Sequence, residues 1–286
     1  MKKKNWVIGL AALLAAASVT GCGAGASENA GSQSTEVAAD SAETTAAAAA
    51  DTETADAEGD TFIYAQSAEC KTLDPGVSNY LSSSSLLMNM FMGLEMVGED
   101  GVSVVPGCAE SYDVSEDGLV YTFHLYDDLK WSDGSALTAK DFEWSWIREL
   151  KPETASGCSS NLYVIKNAEA FANGECTEDE VGVKALDETT LEVTLENPTS
   201  YFPDMLCEVC FSPLQQAAVE SSATWSQEAD TFICNGAYLM KQIDHDADYV
   251  LEKNPYYKYA DDVSVENIKV VFIADSTTAL TAFKNG

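Results

Sequence analysis

Lys130-Trp131-Ser132-Asp133-Gly134-Ser135-Ala136-Leu137-Thr138-Ala139-Lys140-Asp141-Phe142 is the stretch whose reading decides the fold. Trp131-Ser132-Asp133-Gly134 is turn chemistry, because Ser and Asp side chains bond nearby backbone and Gly accepts a left-handed conformation. Thr138 and Asp141 then stand at the spacing of a capping box, with Asp in place of the usual Glu or Gln. A helix is therefore expected over Phe142-Glu143-Trp144-Ser145-Trp146-Ile147-Arg148. Just upstream, Tyr121-Thr122-Phe123-His124-Leu125 alternates apolar and polar residues, as a half-buried strand does. Strand, turn and capped helix in close succession predict a mixed α/β protein.

The same grammar extends both ways. Phe62-Ile63-Tyr64 reads as a first strand, Leu73-Asp74-Pro75-Gly76 as a turn, and the apolar run 86–97 as a buried helix. Val181-Gly182-Val183-Lys184-Ala185-Leu186 and Thr190-Leu191-Glu192-Val193-Thr194-Leu195 predict a hairpin. A second hairpin is expected from Ala237-Tyr238-Leu239-Met240 and Tyr249-Val250-Leu251-Glu252. Ile268-Lys269-Val270-Val271-Phe272-Ile273 is a strand, and a helix begins at Ser276. Trp131, Trp144 and Trp146 are expected in the core rather than in a ligand platform.

Charge excludes several functions. Among 286 residues there are 47 acidic and 15 basic side chains, a formal net charge of -32. No basic surplus exists to neutralise nucleic-acid phosphates, so no nucleic acid is expected as a partner. Two histidines, His124 and His245, give multi-histidine metal chemistry little to build on. His124 is expected in the core or at its rim, and His245 on an exposed hairpin tip. Asp244-His245-Asp246-Ala247-Asp248 resembles the opening of a calcium loop, but Tyr249 and Pro255 replace the required Gly and Glu. No G-x-S-x-G, Walker loop or H-E-x-x-H occurs, and no spacing singles out a carboxylate pair. No catalytic residue, metal site or cofactor is assigned.

The N-terminal end reads as an address. Lys2, Lys3 and Lys4 precede an apolar run that closes on Val19-Thr20-Gly21-Cys22. A basic start, a short apolar segment and small residues before a cut site make a signal peptide, here 1–21. Residues 23–60 hold nine of the acids and no aromatic, Lys or Arg. Such a segment cannot bury enough apolar surface to offset its ordering entropy. Residues 22–60 are thus expected to be a flexible acidic spacer.

Beyond Cys22 stand seven cysteines, 70, 108, 158, 176, 207, 210 and 234, an odd number that precludes complete internal pairing. Cys207-Glu208-Val209-Cys210 lies inside an apolar stretch, where burial as small hydrophobes is expected. A disulfide and a redox or metal pair remain the other readings.

The ordered series of segments resembles solute-binding protein family 5 of ABC importers. It comprises Leu73-Asp74-Pro75, Phe91-Met92-Gly93-Leu94, Pro106-Gly107-Cys108-Ala109-Glu110-Ser111-Tyr112, the strand 121–125 and Lys130-Trp131-Ser132-Asp133-Gly134 with Leu137-Thr138-Ala139-Lys140-Asp141-Phe142. Both strands of the first hairpin, Asn235-Gly236-Ala237-Tyr238 and Lys253-Asn254-Pro255-Tyr256-Tyr257 complete it. Val-Thr-Gly-Cys is similar to the lipobox of bacterial lipoproteins, which would make Cys22 the lipid-bearing residue. The resemblance implies a two-lobed, type II periplasmic-binding-protein-like α/β fold that closes on an extended peptide. It implies a first domain I segment at 61–91, domain II at 92–213 and a second domain I segment at 214–286. Family members continue past such a helix with a Gly-Glu-x-Asp segment and domain III, so a C-terminally truncated chain is expected.

The function so implied is peptide capture by a monomeric lipoprotein on the extracytoplasmic face of a bacterial membrane, with an ABC permease and ATPase subunits as partners. Nickel chelate, haem, opine or oligosaccharide are the alternative ligands on this scaffold. An exported hydrolase and an acidic surface adhesin are the readings from other classes. Position by position, the family's ligand loops fall on Asn79, Tyr80 and Leu81 and on Cys158, Asn161 and Tyr163. Asn79 stands where relatives use an acid, and Gly157-Cys158 where they use a Pro-aromatic pair.

Overall fold

The computed structural model describes residues 61–285. The expected signal peptide, the lipidation expected at Cys22 and the expected acidic spacer fall outside the described residues.

In chain order the elements are β1 (Thr61–Gln66), α1 (Leu81–Met90), β2 (Glu95–Val97), β3 (Val104–Pro106), β4 (Ala109–Val114), β5 (Val120–Leu125) and α2 (Ala139–Leu150). Then come α3 (Ala168–Ala172), β6 (Val183–Ala185), β7 (Thr190–Thr194), α4 (Phe202–Met205), α5 (Gln216–Ser221), β8 (Tyr238–Asp244), β9 (Asp248–Lys253), β10 (Asn267–Phe272) and α6 (Ser276–Asn285). One four-stranded sheet runs β4-β5-β7-β6 and is antiparallel throughout. The other runs β1-β10-β9-β8, with β1 and β10 parallel and the rest antiparallel. β2 and β3 form a two-stranded ribbon. The expected mixed α/β class is what the chain adopts.

The deciding stretch folds as read. Gly134 takes φ +84 and donates its N–H to Trp131 O at 2.9 Å, closing the turn. The Asp141 carboxylate accepts from the Thr138 N–H at 2.7 Å and from the Thr138 hydroxyl at 3.2 Å. That satisfies a donor which a bare helix start would leave unmet. On α2, Phe142, Ser145, Trp146, Glu149 and Leu150 are buried, the spacing of one helical face. The opposite edge of α2 reaches β6, where Glu143 Oε2 accepts the Ala185 N–H at 3.0 Å.

The inward face of β5 meets this helix through a chain of aromatic rings. Tyr121 lies edge-on to Phe202 at 5.2 Å, Phe202 to Phe211 at 6.4 Å, and Phe211 to Trp146 at 5.4 Å. Each such pair contributes about 0.5–1.5 kcal/mol beyond the area it buries. Trp146 Nε1 also donates to Phe211 O at 3.0 Å, so its one polar atom is satisfied in the core. Trp131 and Trp146 are fully buried and Trp144 is half-buried.

The run 86–97 differs from its reading. The helix starts earlier, in the serine-rich stretch at Leu81, and ends at Met90, after which β2 takes up Glu95–Val97. Residues 90–92 and 94 are buried, so no polar beat distinguished helix from strand. Gly93 marks the break: a Cβ there would stand 2.7 Å from the Leu206 carbonyl oxygen.

Asn235 and Gly236 tie this region to the returning chain. The Asn235 side chain accepts the Met92 N–H at 3.1 Å and donates to Met92 O at 2.9 Å. Gly236 N donates to Met90 O at 2.7 Å, and a Cβ on Gly236 would fall 2.4 Å from the Met90 carbonyl carbon. Asn254, also fully buried, donates to Gly236 O at 2.9 Å. Replacing Asn235 with Ala strands two buried backbone groups of Met92, at about 1–3 kcal/mol for each. Urea denaturation of Asn235→Ala is expected to show a loss of that size with an unchanged slope.

The β8–β9 hairpin forms with Leu239 opposite Glu252 and Met240 opposite Leu251. Its tip is held rather than free. His245 Nδ1 lies 2.6 Å from Glu69 Oε1, and the Tyr249 hydroxyl donates to the same oxygen at 2.7 Å. The hydrogen bond to Glu69 raises the His245 pKa above its ordinary 6.5. Burial pushes Glu69 upward, but bonds from Tyr249, His245 and the Asp246 backbone outweigh it and hold the carboxyl below its ordinary 4.5. The histidine's contribution is therefore complete below about pH 6.5 and is lost as pH rises through its raised folded value. The Glu69 contribution is complete above about pH 4.5 and is lost as pH falls through its lowered folded value. Comparison of His245→Asn with the parent by urea denaturation from pH 4 to 9 is expected to show the largest deficit between those limits.

Candidate functional site

The turn at Leu73-Asp74-Pro75-Gly76 is fixed from its own backbone and from α2. Asp74 O accepts from the Val77 N–H at 3.1 Å and the Ser78 N–H at 3.0 Å. The Asp74 carboxylate is forked by Arg148, with Nη2 to Oδ2 at 2.7 Å and Nη1 to Oδ1 at 3.3 Å, and also accepts the Gly76 N–H. Both partners of this ion pair are largely buried. A bidentate guanidinium fixes orientation as well as charge.

This anchor aims residues 77–81 at the loop that follows α2. Gly157 N donates to Val77 O at 3.3 Å, and a Cβ on Gly157 would come within 2.8 Å of Asn79 Nδ2. The Cys158 thiol faces Ser78 O at 3.7 Å. Two of the loops singled out in the sequence, 77–81 and 157–163, are thus side by side in the fold. Asn79, Tyr80, Leu81 and Asn161 are exposed, Leu81 at 84%, and Tyr163 is half-buried. Lys71 Nζ stands 4.5 Å above the Tyr80 ring.

Cys158 differs from the other five. It is buried, and its sulfur points down to Glu149 Oε1 at 3.4 Å. Cys210 completes a group whose donor atoms all lie within 4.8 Å of one another. Asn161 Nδ2 donates to Cys210 Sγ at 3.5 Å, and the Ser156 hydroxyl to Glu149 Oε1 at 3.4 Å. Glu149 is 2% exposed and forms no ion pair among the described residues. Burial, reinforced by Cys158, pushes its pKa up to about 10, so it is a neutral acid at physiological pH. The hydrogen bond to Cys210 and burial raise the Cys158 thiol.

Spacing hid this cluster, because Cys158 and Cys210 are far apart in sequence and Cys207-x-x-Cys210 drew attention to the wrong partner. Cys207 is half-buried and its sulfur faces Pro203 O at 3.9 Å. Glu149 carried a usable signal: three residues after Trp146 and seven after Phe142, it falls on the apolar face of α2. None of the seven described cysteines is joined in a disulfide.

A second hollow, of about 240 Å³, is lined by Glu69, Lys71, Gln227, His245 and Tyr249 among others. Three of these, Glu69, His245 and Tyr249, are already engaged in holding the hairpin tip.

Comparison with known proteins matches this geometry to a family. Residues 103–286 fit the model described as bacterial extracellular solute-binding proteins, family 5 Middle. The chain belongs to that family. It is 36% identical over 216 residues to the oligopeptide-binding protein OppA of Bacillus subtilis, covering 75% of this chain and 39% of the relative. The dipeptide-binding protein DppE of the same organism is 31% identical over 285 residues, 99% of this chain and 49% of DppE. Among solved structures, Listeria monocytogenes OppA bound to peptide superposes with a TM-score of 0.77 at 30% identity, over 80% of this chain and 45% of that one. The chain thus spans half or less of the length of these family 5 relatives. The relatives are named as binding proteins, and the two-lobed α/β fold of the family is the one the resemblance implied.

Loss of the arginine would expose the cost of the anchor. Arg148→Met leaves the Asp74 carboxylate buried without its counter-charge, a change that costs about 3–5 kcal/mol. Chemical denaturation is expected to show that loss, and hydrogen exchange is expected to accelerate at the amides of 76–78. Adding Asp74→Asn is expected to restore part of it.

Proposed function

We propose that this protein captures peptides outside the cytoplasmic membrane and delivers them to an ABC importer. The observation that carries the reading is the juxtaposition of loops 77–81 and 157–163 on a family 5 scaffold whose relatives are named for peptides. Asn79, Tyr80, Leu81, Asn161 and Tyr163 face the ligand, with Cys158 in the floor beneath them. Asparagine amides supply paired donors and acceptors for a peptide main chain, and exposed Tyr and Leu supply apolar contact. Binding in this mode grips the backbone and tolerates varied side chains. No bond is made or broken.

The domain reading is 61–91 with 214–286 as domain I and 92–213 as domain II. What supports it is sheet membership: β1, β8, β9 and β10 all fall in the first set, and β4, β5, β6 and β7 all fall in the second. Cys22 carries the lipid, and 23–60 spaces a monomeric binding domain from the membrane, where permease and ATPase subunits receive the peptide. No helix among the described residues is long and apolar enough to cross a membrane.

The test is a thermal-shift screen of the whole gene product against peptide pools, oligosaccharides, nickel chelates and haem. Peptide pools are expected to raise the Tm, and Asn79→Ala or Asn161→Ala to weaken peptide binding by about 10-fold, the loss of roughly one good hydrogen bond. A response to a glycan, chelate or haem with none to peptides overturns the proposal.

A further inference from the structure

We propose that Glu149, Cys158 and Cys210 form a site for a thiophilic divalent cation, with zinc as its representative. The site lies beneath the peptide-facing loops and shares Cys158 and Asn161 with them, but it stands whether or not peptides bind.

Two sulfurs and one carboxylate oxygen converge from three parts of the chain: the end of α2, the loop after it, and the single helical turn Val209–Phe211. Their donor atoms lie within 4.8 Å of one another. Around a tetrahedral zinc, with Zn–S of about 2.3 Å and Zn–O of about 2.0–2.2 Å, a sulfur and an oxygen ligand stand about 3.5 Å apart. Cys158 Sγ and Glu149 Oε1 stand 3.4 Å apart. Thiolate pairs favour zinc and its softer neighbours over magnesium or calcium, which seek oxygen cages.

The surroundings are those of a ligand set rather than of a core. A carboxyl 2% exposed, with no ion-pair partner among the described residues, is an expensive side chain to keep on the apolar face of α2. A bound dication gives it a counter-charge and takes up both sulfurs as well. A Cys158–Cys210 disulfide would use the sulfurs alone and leave that carboxyl as it was. Asn161 donates to Cys210 Sγ at 3.5 Å, the type of outer contact that orients a thiolate and favours its charged form. Ser156 Oγ lies 3.4 Å from Glu149 Oε1 and 3.6 Å from Cys158 Sγ, a further oxygen within reach of the group. Gly157 and Asn161 are exposed, so the ion enters through the loop that covers the site. Binding displaces the protons of two thiols and one carboxylic acid, and the site passes from neutral to a net single negative charge.

The experiment titrates the reduced, metal-stripped chain with zinc and, separately, with cadmium. Expected are one zinc per chain by elemental analysis, a rise in Tm, and an ultraviolet sulfur-to-cadmium charge-transfer band. Cys158→Ser and Cys210→Ser are expected to abolish the band. Glu149→Gln and Asn161→Ala are expected to weaken zinc binding by roughly 10–100-fold, and Cys207→Ser to leave it unchanged. If a serine variant does not fold, thiol labelling of the parent decides: zinc should protect Cys158 and Cys210 from alkylation while Cys176 still reacts. The proposal is overturned by the absence of the band, by zinc binding that survives Cys158→Ser, or by a Cys158–Cys210 disulfide forming in air with zinc present.

Discussion

The side-chain amide of Asn235 does for Met92 what a neighbouring strand would do, accepting its N–H and donating to its carbonyl. Much else rests on this contact, because the chain crosses itself here. Residues 90–92 lead out of one sheet's territory toward the other, and 234–238 lead back. Gly236 allows the two backbones to approach to a distance that no side chain would permit, and Asn254 caps the crossing from the far side. Ser132, in the turn that begins the deciding stretch, reaches the same place: its N–H donates to Cys234 O at 2.8 Å. A buried polar network of this kind is costly unless every member is matched, and here the backbone of one segment is matched by the side chain of another.

The candidate site depends on a second constraint, the fork of Arg148 on Asp74. It joins the turn after β1 to the last turn of α2, so the exposed loop 77–81 inherits the rigidity of a helix packed on a sheet. Adjacent to that arginine in sequence, Glu149 reaches the same turn: a Cβ on Gly76 would stand 3.4 Å from both Arg148 Nη1 and Glu149 Oε2. One residue of α2 is a cation with a partner and the next is an acid without one.

The sequence was legible where local chemistry and tertiary packing agree. The turn at Trp131-Ser132-Asp133-Gly134, the Thr138–Asp141 cap and the two hairpins carry their instructions within a few residues. The run 86–97 was not legible, since continuous apolarity suits a buried helix and a buried strand equally. Loop placement came through resemblance rather than periodicity: nothing in Asn79 or Asn161 alone says that they share a seam. The Glu149–Cys158–Cys210 group was invisible to spacing, because its members meet through the packing of α2, its following loop and a distant single turn. The aromatic ladder that sets that packing, Trp146 on Phe211, places Cys210 beside Glu149 as a by-product.

The parallel pairing of β1 with β10 also governs the order in which the molecule can assemble. All four strands of the β4-β5-β7-β6 sheet come from one continuous segment, and their pairings close short or moderate loops. β1 emerges first from synthesis, yet its partner, Thr61 opposite Asn267, appears only near the end of this chain. Closing a loop of that length is entropically slow, and it must await the β8–β9 hairpin that presents β10 with its other neighbour. Among the described strands, the first to be made is therefore the last to be placed.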